Sequence, residues 1–485
     1  MSKLCVFGIG GTGSRVLKSL IMLLSAGVRI NADEIVPIII DPDQAAADFT
    51  RTEKLIQDYN KVYKRIAHDN FGSNTFFNTK INLDIIPSIR LPLQNTTNID
   101  FKEYIGLPLM KDEAGNANAN YALASMLFSE KNLKSKMNVG FKGNPNIGSV
   151  VLNQFSMSRE FLDFAASFGD KDRIFIISSI FGGTGASGLP LLLKNLRAIS
   201  DEVAGGGNVR NAPIGAISVL PYFDVKPNEE SEIDSSTFIS KTKAALSYYD
   251  RNMTETNVLY YIGDRITKQY ENSEGGTMQC NDAHFVELAA ALAIVDFAAI
   301  PDSNFITKKG VPQAATYKEF GVRDETLQLI FGNLDSKTNS KIKKPLTAFT
   351  LFCKYLDEQI WDSKGQPWAK DYKFDENFLN SAFFKSEIID IKNSFLEWLD
   401  EMAYNTRAFA PYDLRMKKND VYSLIKGEIP AKVYKISKNY ALYDDYLNDF
   451  RTKVRKDASK ETIFMELFFK ATEKLVIDKF RLQNI

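Results

Sequence analysis

The sequence predicts an α/β protein: a mostly parallel sheet covered by helices on both faces, followed by a mainly helical C-terminal region. Two observations carry this. Over the first 300 or so residues, short β-branched runs alternate with helical patterns, the rhythm of parallel strands joined by crossovers. After about residue 310, apolar residues recur at three- and four-residue spacing with Lys, Asp and Glu between them, which marks amphipathic helices.

The elements follow in order. KLCVF (3–7) reads as a strand, residues 14–26 as a helix and VPIII (36–40) as a second strand. RIFIIS (173–178), GAISVL (215–220) and NVLYYI (257–262) are three more strands. SREFLDFAASF (158–168), SGLPLLLKNLRAI (187–199) and TFISKTKAALSYYD (237–250) have helical periodicity. Beyond them, 346–361, 376–403 and 444–480 read as long amphipathic helices, whereas 205–207 and the lysine-rich 336–344 read as loops.

Composition removes several function classes. With 485 residues, 44% of them apolar, the chain has room for two to four domains of the usual roughly 100–200 residues. Sixty Lys+Arg offset sixty Asp+Glu, and a general polyanion binder carries a basic excess, so nucleic acid is not an expected partner. Cys5, Cys280 and Cys353 lie far apart and His68 and His284 are the histidines, which leaves no spacing for a structural zinc site and suits a reducing compartment. The apolar stretches 17–28 and 286–300 are shorter than the roughly 18 residues of a membrane span, and the second carries Glu287 and Asp296. Glycines interrupt the start, MSKLCVFGIGG, where a signal peptide needs an unbroken apolar segment. These features predict a cytoplasmic protein with no membrane span.

Two glycine-rich turns carry the chemistry. Gly8-Ile9-Gly10-Gly11-Thr12-Gly13-Ser14 follows the opening strand and opens a helix. Glycines let a phosphate approach the backbone, and a helix N-terminus offers free N–H groups and the positive end of a dipole. Alone, this turn also satisfies G-x-G-x-x-G, with Asp41 ending the second strand like a ribose-binding acid, so a dinucleotide fold fits it too. No Gly-Lys-Ser/Thr follows, which excludes a Walker A loop. The second turn, Ser178-Ser179-Ile180-Phe181-Gly182-Gly183-Thr184-Gly185-Ala186-Ser187-Gly188, again joins a strand to a helix. The dinucleotide fold has no place for a second phosphate cradle, whereas two opposed loops can grip one polyphosphate. An NAD-dependent oxidoreductase lacks, besides, any acid/base constellation in this chain.

With these turns in view, the chain resembles the tubulin/FtsZ superfamily of GTP-binding proteins, over roughly residues 1–305 and in the family's order of elements. Gly182–Gly185 resembles the G-G-G-T-G-[ST]-G signature and Gly8–Gly13 the first nucleotide loop. The run 39–45, containing Asp41, Asp43 and Gln44, is similar to the N-T-D-A-Q-A turn, and Gly143-Asn144-Pro145-Asn146-Ile147-Gly148 to the G-N-P-E-V-G loop near the γ-phosphate. Val219-Leu220-Pro221-Tyr222-Phe223 stands in the place of V-T-K-P-F, and Tyr261-Ile262-Gly263-Asp264-Arg265 in that of I-P-N-D-R. Cys280-Asn281-Asp282 resembles the A-N-D that opens a long central helix, here about 281–300.

The resemblance implies a nucleotide-binding domain over 1–305, a mainly helical domain over 306–485, GTP/GDP and Mg²⁺ as ligands, head-to-tail self-association, and slow or assembly-dependent GTP hydrolysis. Phosphates would lie on the backbone of Gly10, Gly11, Thr12, Gly13, Ser14 and of Gly182, Gly183, Thr184, Gly185, Ala186, Ser187, beside Gly143, Asn144 and Gly148. Asp43 would orient Mg²⁺ through water or else cap the following helix. Asp282, beside Asn281, would accept the N1–H and N2–H₂ of guanine and repel adenine's lone-pair edge, or else be an N-cap. Asp264 would support the base or ribose. The water-positioning acid, acting in trans on the next subunit, falls on Asp302 in Asp302-Ser303-Asn304-Phe305, with Asp296 and Asp335 as rivals.

Several positions depart from the pattern. Phe181 replaces the first signature glycine, Arg15 stands where bacterial members have Asn, and the two polar residues around Ser303 are exchanged. The chain is closer in texture to divergent bacterial tubulin-like proteins, and a non-polymerising nucleotide sensor that docks a partner protein through its C-terminal helices is the competing expectation. His284 is expected to pack or bond locally, and Cys280 to be a small buried hydrophobe.

Overall fold

The computed structural model describes residues 2–482 apart from 44, 68–74, 87, 97–98, 113, 138–139, 142, 227–237, 267–268, 272–275, 277–280, 306–313, 321–325 and 434–438. Gln44, His68 and Cys280 lie outside the described residues.

Seven strands form one sheet: β1 (Lys3–Ile9), β2 (Glu34–Ile40), β3 (Lys80–Ile81), β4 (Arg173–Ser179), β5 (Ile214–Val219), β6 (Val258–Ile262) and β7 (Thr316–Phe320). Their spatial order is 3-2-1-4-5-6-7 and every neighbouring pair is parallel. The inner strands are apolar on both faces because both faces are covered. In β1 and β4, Leu4, Val6, Phe175 and Ile177 enter one core while Cys5, Phe7, Ile9, Ile174 and Ile176 enter the other, the two-residue alternation of a strand.

Beneath the first core lie α1 (Gly10–Ser25) and α2 (Ala47–Ala67); the second is covered by α3 (Pro145–Val151), α4 (Arg159–Ser167) and α5 (Gly183–Arg197), with α6 (Phe238–Asn252) flanking the sheet. The central helix α7 (Phe285–Ala298) is apolar nearly all round, so it is buried against the sheet and α1. In the C-terminal region α8 (Ser336–Glu358), α9 (Ile389–Ala403), α10 (Ala441–Phe450) and α11 (Lys460–Phe480) share the first core with α1 and α2. Trp398 Nε1 donates to Ser19 Oγ at 3.1 Å across that junction. No helix among the described residues is long and apolar enough to cross a membrane.

Several elements differ from the sequence expectation. The edge strand β7, TYKEF, is mostly solvent-facing and carries no β-branched run, yet it extends the sheet past residue 305. The lysine-rich 336–344 is helix rather than loop, because the Asp335 carboxylate accepts the Thr338 N–H at 3.0 Å and caps α8. Gly205 does take a left-handed turn (φ +73°), but Gly206–Asn211 then forms a short helix. The pattern 376–403 breaks into Glu376–Leu379, a π-type turn at Phe383–Ile388 and α9, and the pattern 444–480 into α10 and α11.

A buried carboxylate ties the C-terminal helices together. Asp444 accepts Tyr355 Oη at 2.5 Å, Trp368 Nε1 at 3.0 Å and Ser363 Oγ at 3.4 Å. Burial holds its carboxyl above the usual range despite these donors. Replacing Asp444 by Ala leaves the buried Trp368 Nε1 without its acceptor and Tyr355 Oη with Ser363 Oγ at 2.8 Å, so urea denaturation is expected to show a loss of about 2 kcal/mol; a change within about 0.5 kcal/mol would show the cluster to be dispensable.

Candidate functional site

β1 and β4 are neighbours in the middle of the sheet, and the chain leaves them toward opposite faces, into α1 and α5. This is the topological switch point, where open α/β sheets bind ligands. Both strands end there in a glycine turn. The helices pack onto their own strands too closely for side chains: a Cβ on Gly13 would lie 2.7 Å from Gly8 Cα, and one on Gly185 2.8 Å from Ser179 N. Gly10 has φ +69°, a conformation that suits glycine.

Both helices start without a side-chain cap and without an acid in the first turn. Ala186 N–H already closes onto Gly182 O at 3.2 Å, so the first-turn amides of α5 are those of Gly183, Thr184 and Gly185. The hydroxyl of Ser187 is likewise spent, on Gly183 O at 2.7 Å. The turns meet: a Cβ on Gly10 would be 3.5 Å from Thr184 Cβ. The third loop joins them, since a Cβ on Gly183 would come within 3.0 Å of Asn144 N and 3.1 Å of Gly143 N. A Cβ on Gly148 would collide with Ser187 Oγ. Asn144 starts α3, again with no side-chain capping bond, and Lys241 Nζ holds Gly143 O at 2.9 Å. Ser14 Oγ is fully buried and has no hydrogen-bond partner among the described residues. Phe181 keeps out of the loop because its ring packs 5.4 Å from both Phe223 and Phe238.

Arg15 is the hub beneath the first turn. Its guanidinium reaches Asp48 Oδ2 at 2.5 Å, Glu287 Oε1 at 2.6 Å, Tyr222 Oη at 2.9 Å and Thr12 Oγ1 at 3.3 Å, all buried. A buried cation needs such partners, and these pin α1 to α2 and α7. Sequence reasoning noted Arg15 as a departure but missed its partners. The signal was present in Glu287, an acid inside an apolar run, which buried chains retain only when paired.

The carboxylates fall into distinct places. Asp43 accepts Ala45 N–H at 3.0 Å and Gly276 N–H at 2.6 Å, so it binds the segment before α7 as well as its own turn. Asp41 accepts Asp43 N–H at 3.0 Å, and its carboxyl is pushed up to about 7, chiefly by burial. Asp264 forms a buried ion pair with Arg407 Nε at 2.6 Å. Asn281 and Asp282 precede α7 instead of opening it. The cap is His284, whose Nδ1 accepts Val286 N–H at 3.0 Å while Glu287 accepts His284 N–H at 3.1 Å, so the capping alternative for Asp282 is replaced.

Asp302 sits elsewhere. It pairs with Arg173 Nη2 at 2.5 Å, and Arg173 opens β4 whereas the second glycine turn follows its end. A seven-residue strand separates them by about 20 Å. Of its rivals, Asp296 accepts Tyr260 Oη at 2.8 Å and Lys318 Nζ at 2.5 Å, and Asp335 is the cap of α8. Among the described residues no group of three or more His, Cys, Asp or Glu is gathered to hold a metal.

No family model matches the chain, and no curated protein matches it. Among solved structures it is similar to CetZ2 from Haloferax volcanii, described as a GTPγS-bound protofilament. Identity is 12%, the TM-score 0.29, and the match covers 65% of this chain and 64% of that one. So loose a superposition adds no weight to the sheet order and loop geometry, which stand on their own.

Asp41 gives the site a pH signature. An unfolded aspartate titrates near 3.9, so between that value and about 7 the folded chain keeps a proton the unfolded chain releases. Stability therefore falls as pH rises through this window. Asp41→Asn abolishes that slope, and its stability relative to wild type is expected to rise by on the order of 2 kcal/mol between pH 4.5 and pH 8 in denaturant titrations. A pH-independent difference contradicts the assignment.

Proposed function

We propose that this chain is a tubulin-like protein that binds GTP and GDP at the switch point, self-associates head to tail, and hydrolyses GTP slowly or on assembly. The observation that carries it is the convergence of two glycine turns, some 170 residues apart in sequence, so close that a Cβ added at Gly10 would touch the side chain of Thr184. Each is an uncapped helix start, and such amides attract an anion. A dinucleotide fold supplies one of them; two so close together fit a polyphosphate held between α1 and α5.

The residues fit the nucleotide. Amides of Gly10, Gly11 and Thr12 on one side and of Gly183, Thr184 and Gly185 on the other would take phosphate oxygens, Thr184 and the unpartnered Ser14 Oγ adding hydroxyls. Asp282 would read the N1–H and N2–H₂ of guanine, and Asp264, on the segment after β6 and held by Arg407, would support the base or ribose. Mg²⁺, when bound, neutralises phosphate charge; Asp43 fits it through water, because each carboxylate oxygen keeps an acceptor lone pair beyond its amide bond. The loop amides stabilise charge that develops as water attacks the γ-phosphate. Asp302 cannot reach its own chain's loops across the sheet, which supports its acting on the nucleotide of the next subunit.

A second reading is favoured by one observation: Asp302 is already paired with Arg173. An acid held that way suits a nucleotide sensor that neither polymerises nor turns over and presents its C-terminal helices to a partner protein.

The nucleotide that co-purifies with the chain, released by acid and identified by chromatography, is expected to be GTP or GDP; NAD or no nucleotide would refute the proposal. Gly183→Ala forces the loops apart at Asn144 and is expected to weaken GTP about ten- to hundredfold, since overpacking costs about 1–3 kcal/mol. For the two readings, GTP is added at high protein concentration. Sedimentable polymer with turnover, both reduced in Asp302→Ala, supports the assembling GTPase; a soluble protein with no phosphate release supports the sensor.

A further inference from the structure

Residues 401–407, at the end of α9, grip the segment expected to read the base. The two peptide groups that flank the Asp282 Cα are both held from outside. Asn281 C=O accepts Arg51 Nη2 at 3.1 Å, and Ala283 N–H donates to Glu401 Oε2 at 2.9 Å. The two holders are themselves an ion pair, Arg51 Nη1 to Glu401 Oε1 at 3.3 Å. Asn405 Nδ2 then takes Ala283 C=O at 2.6 Å. The planes of these two peptides define φ and ψ of Asp282, so its side chain leaves the backbone in a direction fixed by Glu401 and Arg51. Glu401 also pairs with Lys18 of α1 at 3.4 Å, and Arg51 with Asp48 at 2.9 Å, which in turn holds Arg15. One carboxylate from the C-terminal region thus joins the helix of the first glycine turn to the base segment.

We infer that Glu401 and Asn405 are positioning residues for base selection, setting Asp282 against the purine edge. This rests on the guanine-nucleotide reading above. Aiming one carboxylate affects the contacts of that carboxylate with the base, whereas the ion pair of Glu401 with Lys18 of α1 bears on every nucleotide alike. The 2-amino group of guanine isolates the effect, because inosine nucleotides lack it and keep N1–H, sugar and phosphates.

The test is calorimetric titration of GTP and ITP into full-length wild type, Glu401→Gln and Asn405→Ala, with thermal unfolding run on each. Wild type is expected to prefer GTP. In Glu401→Gln GTP is expected to weaken by about tenfold, the worth of one charge-assisted hydrogen bond, while ITP weakens less than about threefold. Should Glu401→Gln melt below the titration temperature, Asn405→Ala, which frees the next peptide along and leaves both ion pairs of Glu401 in place, is expected to move the ratio the same way by a smaller factor. Equal weakening of GTP and ITP, or an unchanged ratio, would falsify the inference while leaving nucleotide binding intact. A wild type that binds neither nucleotide overturns the reading beneath it as well, so the two failures are distinct.

Discussion

The adjacency of β1 and β4 is the constraint on which the site depends. Every strand is parallel, so both end on the same edge, and the order 3-2-1-4-5-6-7 sends the chain to opposite faces at just that point. Two helix starts are thereby placed mouth to mouth. Each helix is pressed onto its own strand, at Gly13 against Gly8 and at Gly185 against Ser179, which fixes where each start lies. A methyl group at either place would lift a helix off the sheet and separate the turns.

Below this edge, buried charge does what apolar packing cannot. α1 is enclosed by the sheet, α2 and α7, and an apolar helix in such a slot is free to settle in more than one rotation. Arg15 removes that freedom, since its Nε, Nη1 and Nη2 must each find a different partner on a different element. The set continues through Asp48 and Arg51 to Glu401, so the C-terminal region shares the electrostatic order of the site as well as its hydrophobic core.

Much of this was legible in the sequence. Five strands show as β-branched runs, and both glycine turns stand at strand-to-helix junctions, because burial and close backbone approach leave strong local signals. What escaped notice depends on distant partners or weak pattern. Lys80–Ile81 is too short to show alternation, and the exposed β7 has little apolar content. The start of α8 looked like a loop until the bond from Thr338 to Asp335 supplied its cap. The N-cap left open as an alternative for Asp282 went instead to His284, an uncommon residue in that role and therefore without a local signal. The pairs Arg407–Asp264 and Glu401–Arg51 join residues far apart in the chain, and nothing local marks either member.

The aromatic ring at position 181 has a mechanical consequence. With Phe181 wedged among Tyr222, Phe223 and Phe238, the second glycine turn is bolted to the hydrophobic interior on one side, and α1 is bolted by Arg15 on the other. Neither jaw can swing open without tearing its anchorage. A ligand reaching this site therefore meets two fixed jaws rather than a pair of hinged ones.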